Sequence, residues 1–383
     1  MIARSLTPTI FQRLERFPVV AITGPRQAGK TTLAKSILSE VKKETIYLDL
    51  ELPSDLNKLR NAEFFLKENE DKLVVIDEVQ RRPALFPLLR ALVDQRREAA
   101  RFLILGSASP DLLKQSSETL AGRIAYLELS PFHFRELAEQ TFQQHWLRGG
   151  FPPALLSLSD DEAFQWLENF TLAFVERELP QLGLNASSQT LYNLLLMLTN
   201  THAQLINFST LSKSMGISMA TVKRYMEYFE AAYFIRYLPP WHTNIKKRLV
   251  KTSKMYFRDT GILHYLAGVS EMNQLLGNQI VGASWEGYVV QQIMANLPAR
   301  TLPFFYRTKD GSELDLVLIR GNKPFLTLEI KFSDTPSLSR GNRLAIKDVQ
   351  APLNLIVTPR GGDYPIEQNI RVCDLEHLWK YLE

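Results

Sequence analysis

The sequence predicts an α/β protein in three parts. The first is a three-layer domain around a mainly parallel sheet, the second a helical, winged-helix domain, the third a mixed α/β domain. Three observations carry this. A glycine-rich loop, Gly24–Thr31, joins an apolar strand to a helix. Five strand-like runs alternate with helical segments as far as Leu129. Two further runs flank Gly321-Asn322 and read as a hairpin. The expected boundaries are 1–137, 138–245 and 246–383.

The first strand is Val19-Val20-Ala21-Ile22. It runs into Gly24-Pro25-Arg26-Gln27-Ala28-Gly29-Lys30-Thr31-Thr32 and an apolar helical segment. This is G-x-x-x-x-G-K-[ST] in the strand–turn–helix context that gives the motif its meaning. Gly24 and Gly29 let the backbone curl so that its N–H groups face phosphate oxygens. The new helix adds its positive end. Lys30 is placed to reach the β- and γ-phosphates and Thr31 to ligate Mg²⁺. Residues 24–32 are therefore expected to hold a nucleoside triphosphate.

Thr45–Leu50 is the next strand, and Leu73-Val74-Val75-Ile76 the next. The latter is a continuous apolar run, as a parallel strand covered on both faces requires. It ends in Asp77-Glu78. Asp77 is placed to share the Mg²⁺ with Thr31, and Glu78 to polarise a water against the γ-phosphate. Ser107 ends the strand from Arg101 and is placed to sense the γ-phosphate. Arg123 opens the last strand of this domain. There it either completes a neighbouring subunit's site as an arginine finger, in a homo-oligomer, or makes a structural ion pair.

Composition bounds the rest. The 383 residues suit two or three domains, and 45% hydrophobic with 22% charged residues is ordinary for a globular chain. No apolar run approaches the length of a bilayer span, and the N-terminus has no signal-peptide core. One cysteine excludes an internal disulfide and a Cys-rich zinc site. A cytoplasmic protein without a membrane partner is expected. The net charge of +4 permits nucleic acid without indicating it.

The middle third is helical. Arg148–Pro153, with two glycines and two prolines, is expected to be a loop. A helix from Leu191 is followed by Ser209–Ser214, a turn at Gly216, and a helix capped by Ser218. This is a helix-turn-helix pattern. Arg236–Pro240 and Ile245–Phe257 supply the strands of a wing. Thr221, Lys223 and Arg224 face outward on the last helix, as contact with nucleic acid requires. Lys246, Lys247 and Arg248 extend the basic surface, unless that run is simply a solvated loop. DNA is expected ahead of RNA.

In the last third, Glu313–Ile319 and Phe325–Phe332 flank the Gly-Asn turn. Pairing Ile319 with Phe325 puts Val317 opposite Thr327, Asp315 opposite Glu329 and Glu313 opposite Lys331. The even positions, Leu314 to Leu318 and Leu326 to Phe332, form one apolar face and pin the register. Two opposed carboxylates destabilise a hairpin. Either a divalent cation on Asp315 and Glu329 compensates, with Lys331 acting on an attacked phosphate, or the residues form a charge ladder neutralised by Lys331.

Asp315 with Glu329-x-Lys331 resembles the PD-(D/E)XK restriction-endonuclease-like core. That resemblance implies a further acid on a preceding helix, which Glu286 supplies, and a second Mg²⁺ or Mn²⁺ on Glu286, Asp315 and Glu329. Here Glu-Leu-Asp stands where that fold has Pro-Asp. With Gly24–Thr32, Val75–Glu78, Gly106-Ser107, Leu120–Arg123, Gly149–Pro152, Tyr256–Gly261 and Glu329–Lys331, the chain resembles a prokaryotic family joining an AAA-type ATPase domain to a C-terminal DUF4143 domain. The resemblance implies ATP binding and an AAA-type fold. Two functions follow: an Mg²⁺-dependent ATPase acting on nucleic acid whose C-terminal domain cuts it, or an ATP-controlled switch or remodeller with a non-catalytic C-terminal module.

Overall fold

The computed structural model describes residues 2–107, 120–138, 140–242 and 249–382. The N-terminal sheet holds β1 (Val19–Thr23), β2 (Thr45–Asp49), β3 (Leu73–Asp77), β4 (Phe102–Gly106) and β5 (Ile124–Glu128), in the order β2-β3-β4-β1-β5. Every pairing is parallel. The central strands β1, β3 and β4 are buried at each position because helices cover both faces. Val74, Ile76, Phe102 and Ile104 pack with Leu85, Phe86 and Leu89 on one side. Val20, Ile22, Leu103 and Leu105 pack with Leu33, Ile37 and Ile10 on the other. With β4 between β1 and β3, the carboxyl ends of all three strands lie side by side, where open α/β sheets bind ligands.

The middle unit packs helices Asp160–Ala173, Ser188–Thr199, Phe208–Met215 and Met219–Ala231 around one core. Gly216, at φ 65°, ends the third of these, and the Ser218 hydroxyl accepts Thr221 N–H to start the fourth. Leu191, Leu194, Leu195 and Leu198 meet Val222, Met226 and Phe229. Pro152 and Pro153 do not sit in a loop, as the sequence suggested, but begin a one-turn helix, Pro152–Leu155. Proline is compatible with a first helical turn because its missing N–H has no partner there.

A small antiparallel sheet follows, ordered β6-β8-β7 from β6 (Gln204–Leu205), β7 (Ile235–Leu238) and β8 (Lys254–Phe257). The pairing of β7 with β8 carries this unit past residue 245. Trp241 N–H reaches Phe305 O and Val250 N–H reaches Arg307 O, so the two strand extensions also border the C-terminal sheet. Lys246, Lys247 and Arg248 lie outside the described residues.

The C-terminal sheet runs β13-β14-β12-β11-β10-β9, from β9 (Thr301–Arg307), β10 (Glu313–Arg320), β11 (Lys323–Ile330), β12 (Leu353–Thr358), β13 (Asp363–Glu367) and β14 (Ile370–Asp374). Helix Val281–Ala295 covers one face and helix Arg340–Val349 the other. Gly321 and Asn322 both have positive φ, so β10 and β11 join through a tight two-residue turn. Val317 lies opposite Thr327 as the pattern required, but an irregularity at Leu318/Ile319 pairs Ile319 with Pro324 rather than Phe325. A second irregularity against β9, between Leu314 and Val317, reverses the alternation. Leu314 therefore packs with Val317 and Ile319, away from Leu316 and Leu318. Among the described residues no helix is long and apolar enough to cross a membrane.

Candidate functional site

The loop after β1 is built for close backbone approach. Gly24 has φ 151°, and a Cβ there would stand 2.2 Å from Leu129 O. Gln27 (φ 59°) and Gly29 (φ 95°) complete the curl into helix Lys30–Leu38. That helix has no side-chain cap, which leaves N–H groups of its first turn for a ligand. Arg4 donates to Ala28 O at 2.9 Å and holds the loop from behind.

Lys30 is buried and donates Nζ to Gly24 O (2.9 Å) and Pro25 O (2.8 Å). Burial pulls its pKa down to about 8, against the opposing pull of Glu78 and Asp77. Thr31 Oγ1 donates to Asp77 Oδ2 at 2.7 Å. Tyr47 OH donates to the same oxygen. These are hard oxygen donors of the kind Mg²⁺ takes, so the set fits that ion. Glu78 is a non-glycine residue at φ 55°, a strained conformation often kept at functional sites. Burial raises its pKa, with Lys30 and Arg26 pulling the other way. Gln80 Nε2 donates to Glu78 and, at 2.8 Å, to Ser107 Oγ, tying Ser107 to Glu78. Thus β1, β3 and β4 bring Lys30, Thr31, Asp77, Glu78 and Ser107 to one place.

The cleft over these residues has a volume of about 400 Å³. Arg26, Gln80, Arg81 and Ser107 line one wall, and Glu178, Gln181 and Ala232 of the middle unit the other. Arg26 reaches across to Gln181 (3.3 Å) and Glu178 (3.9 Å). Glu178 ends a π-helical turn, Phe174–Glu178, a distortion common at functional sites. Its pKa is raised by burial, with Arg26 and Lys30 opposing. Tyr233, at φ 61°, donates its hydroxyl to Thr23 Oγ1 at 2.9 Å. Tyr47, Gln80, Glu178, Gln181 and Tyr233 carry no signal in the sequence. None belongs to a spaced motif, and only the folded chain brings them to the loop.

Arg123 forms a two-pronged pair with Asp94 of its own chain, at 2.5 and 3.0 Å. Lys223 and Arg224 are exposed on helix Met219–Ala231, while Thr221 Oγ1 is engaged by Ser218 Oγ at 2.8 Å. Beside Lys223 a groove lined by Phe208, Met219, Tyr237 and Lys251 opens to solvent.

In the C-terminal unit Glu286, Asp315 and Glu329 come together, but an ammonium lies among the acids. Lys254 Nζ is 2.8 Å from Glu313, 3.0 Å from Glu286 and 3.1 Å from Asp315. Asp315 Oδ2 accepts Ile330 N–H at 2.9 Å. Tyr256 OH donates to Glu286 at 2.6 Å, and Lys331 pairs with Glu329 at 2.6 Å. Burial and the charge of Asp315 raise the pKa of Glu286 and of Glu329. Among the described residues no group of three or more His, Cys, Asp or Glu is arranged to hold a metal. The predicted metal set therefore does not fit a divalent ion as it stands.

An uncharacterized protein of Mycobacterium tuberculosis is 39% identical over 367 residues, covering 96% of this chain and 82% of that protein. One of Mycobacterium bovis matches equally. Residues 16–138 match the AAA domain, and residues 281–378 the domain of unknown function DUF4143. The chain belongs to the family that joins these two domains. Between its AAA and DUF4143 domains, residues 139–273 match a further domain of unknown function, DUF8612. A solved Walker-type ATPase of Pyrococcus abyssi is similar over 70% of this chain and 96% of its own, at 15% identity and a TM-score of 0.48. The sheet order and the Gly24–Thr31 loop give the AAA domain a P-loop ATPase fold.

Proposed function

We propose that this protein hydrolyses ATP with Mg²⁺ and uses the cycle to move the middle unit against the AAA domain while that unit holds nucleic acid. The observation that carries the first part is the 2.7 Å bond between Thr31 and Asp77, with Glu78 next in sequence. Thr31 and Asp77 would hold the ion, which when bound offsets charge developing on the phosphates. Lys30 supplies a positive charge to the β- and γ-phosphates once it leaves the Gly24 and Pro25 carbonyls. Glu78 orients and deprotonates water, with Gln80 fixing its carboxylate against Ser107. Arg26, Glu178 and Gln181 span the cleft, so an occupant between them changes contacts that join the two units.

Exposed Lys223 and Arg224, on the second helix of a helix-turn-helix followed by a β-hairpin, support nucleic-acid contact through phosphates. Domain boundaries near residues 138 and 273 suit the pairing of β8 with β7 better than a boundary at 245. For the DUF4143 domain the geometry favours a binding module over a nuclease, because Lys254 lies among the acids a metal would need. The test is a comparison of the wild type with Lys30→Ala and Lys223→Ala, by phosphate release and by gel shift with DNA and with RNA. Lys30→Ala should lose phosphate release, and Lys223→Ala should lose affinity for DNA while hydrolysing ATP. Lys30→Ala hydrolysing at the wild-type rate overturns the first part, and no DNA or RNA shift by the wild type overturns the second.

A further inference from the structure

We infer that Lys254 is the resident cation of the DUF4143 carboxylate cluster and that, docked there from the middle unit, it excludes a divalent metal. The inference rests on the reading of that domain as a non-cutting module and names the device that makes it so.

Lys254 is the first residue of β8, a strand of the middle unit, yet its side chain ends in the C-terminal unit. It is 2% exposed. A buried ammonium without partners would be expelled or neutralised. Here three carboxylates lie within 3.1 Å of Nζ, which also sits 5.7 Å from the centre of the Phe305 ring. Burial alone would lower its pKa, and Glu286, Asp315 and Glu313 outweigh that and raise it. The lysine is therefore held charged.

The acids are committed in turn. Asp315 uses one oxygen for Lys254 and the other for Ile330 N–H. Glu286 Oε1 takes both Lys254 and Tyr256. Glu313 takes Lys254 and, at 3.1 Å, Arg307. Glu329 has Lys331 on one oxygen, and its other oxygen is buried without a partner. A divalent ion on Asp315 and Glu286 would have to displace the ammonium that both already bind, or lie beside it against like-charge repulsion.

The strand that carries the lysine is held on both sides. Flanking it, β8 is bonded to β6 and β7 on either side, and Val250 N–H is fixed to Arg307 O. Lys254, Tyr256 and Arg258 share one face of the strand, since side chains alternate. Lys254 and Tyr256 meet Glu286, while Arg258 pairs with Glu128 at the end of β5. One strand face thus ties the DUF4143 cluster to the ATPase sheet.

The experiment counts bound Mn²⁺ on the nucleotide-free, full-length protein by electron paramagnetic resonance, and assays DNA cleavage in the same buffer. Wild type and Asp315→Asn should bind the same amount of Mn²⁺, and neither should cut. Lys254→Met, which keeps the aliphatic stem, should gain one Mn²⁺ per chain, and adding Asp315→Asn should remove it. Should Lys254→Met fail to fold, the wild-type comparison decides alone. Mn²⁺ binding by the wild type that is lost in Asp315→Asn, or a folded Lys254→Met that gains none, overturns the inference. If that binding comes without cleavage, the non-cutting reading survives. Cleavage that depends on Asp315 overturns both.

Discussion

Asp259 accepts the N–H of Gly150 at 2.7 Å, across 109 residues of chain. The bond joins two of the stretches that carry the family resemblance, Gly149–Pro152 and Tyr256–Gly261. Around it Thr260 donates to Trp146 O at 2.7 Å, and Phe132 N–H reaches Gly150 O at 2.8 Å. The segment leaving the ATPase sheet is thereby fixed to the strand that carries Lys254.

This joint has no room for a side chain. A Cβ on Gly150 would stand 2.2 Å from Phe132 O, a backbone atom that cannot rotate away. Gly150→Ala should cost about 2 kcal/mol or more, by overpacking. Gly122→Ala, at φ 74° but with open space around it, should cost only about 1 kcal/mol. Urea unfolding of the two variants checks the order, and equal midpoints would contradict it.

Asp259 also gives the joint a pH signature. Burial raises its pKa from 3.8 to about 6, although the N–H groups of Gly150, Ile262 and Gly261 oppose the shift. A carboxyl raised in the folded state stabilises fully below its unfolded pKa, and that contribution is lost as pH rises through about 6. At 1.36 kcal/mol per pKa unit, the loss is roughly 3 kcal/mol. Asp259→Asn does not titrate, so its melting temperature should fall less than that of the wild type between pH 4.5 and 7. Parallel curves for the two proteins would refute the assignment.

Arg123 tests assembly. Its pair with Asp94 is solvent-exposed and so easily given up. As a finger on a neighbouring subunit, Arg123 would make phosphate release per chain rise with protein concentration, and Arg123→Ala would remove that rise. Turnover independent of concentration in the wild type would leave Arg123 a structural role only.

Lys223 and Arg224 test the nucleic-acid surface. Phosphate contacts release counterions, so each alanine substitution should lower affinity for all sequences and reduce the salt slope by about one. Fluorescence anisotropy with DNA at several salt concentrations measures both. An unchanged slope would move the contact elsewhere.

The AAA domain was legible because its signals are local. Continuous apolar runs marked β1, β3 and β4, and the loop, the strand-end acids and Ser107 each follow one of them. The hairpin was legible through Gly321-Asn322 and the pairing of Val317 with Thr327. Its side-chain faces were not, because the irregularity at Leu314/Val317 changes parity without any mark in composition. Lys254 was hidden for a different reason. Among six basic residues between Lys246 and Arg258 nothing distinguishes the one that is buried, and its partners come from residues 286, 313 and 315. Glu178 was hidden likewise, since a helix of another unit delivers it to the cleft.

In the proposed hydrolytic site Thr31, Asp77 and Glu78 act together. Glu78→Gln measures it most directly, because the amide keeps the shape of the side chain and loses only its basicity. ATP binding should stay within about threefold of wild type while phosphate release falls by about 10²-fold or more, the scale of a lost general base. Phosphate release at the wild-type rate by Glu78→Gln would overturn the proposed site.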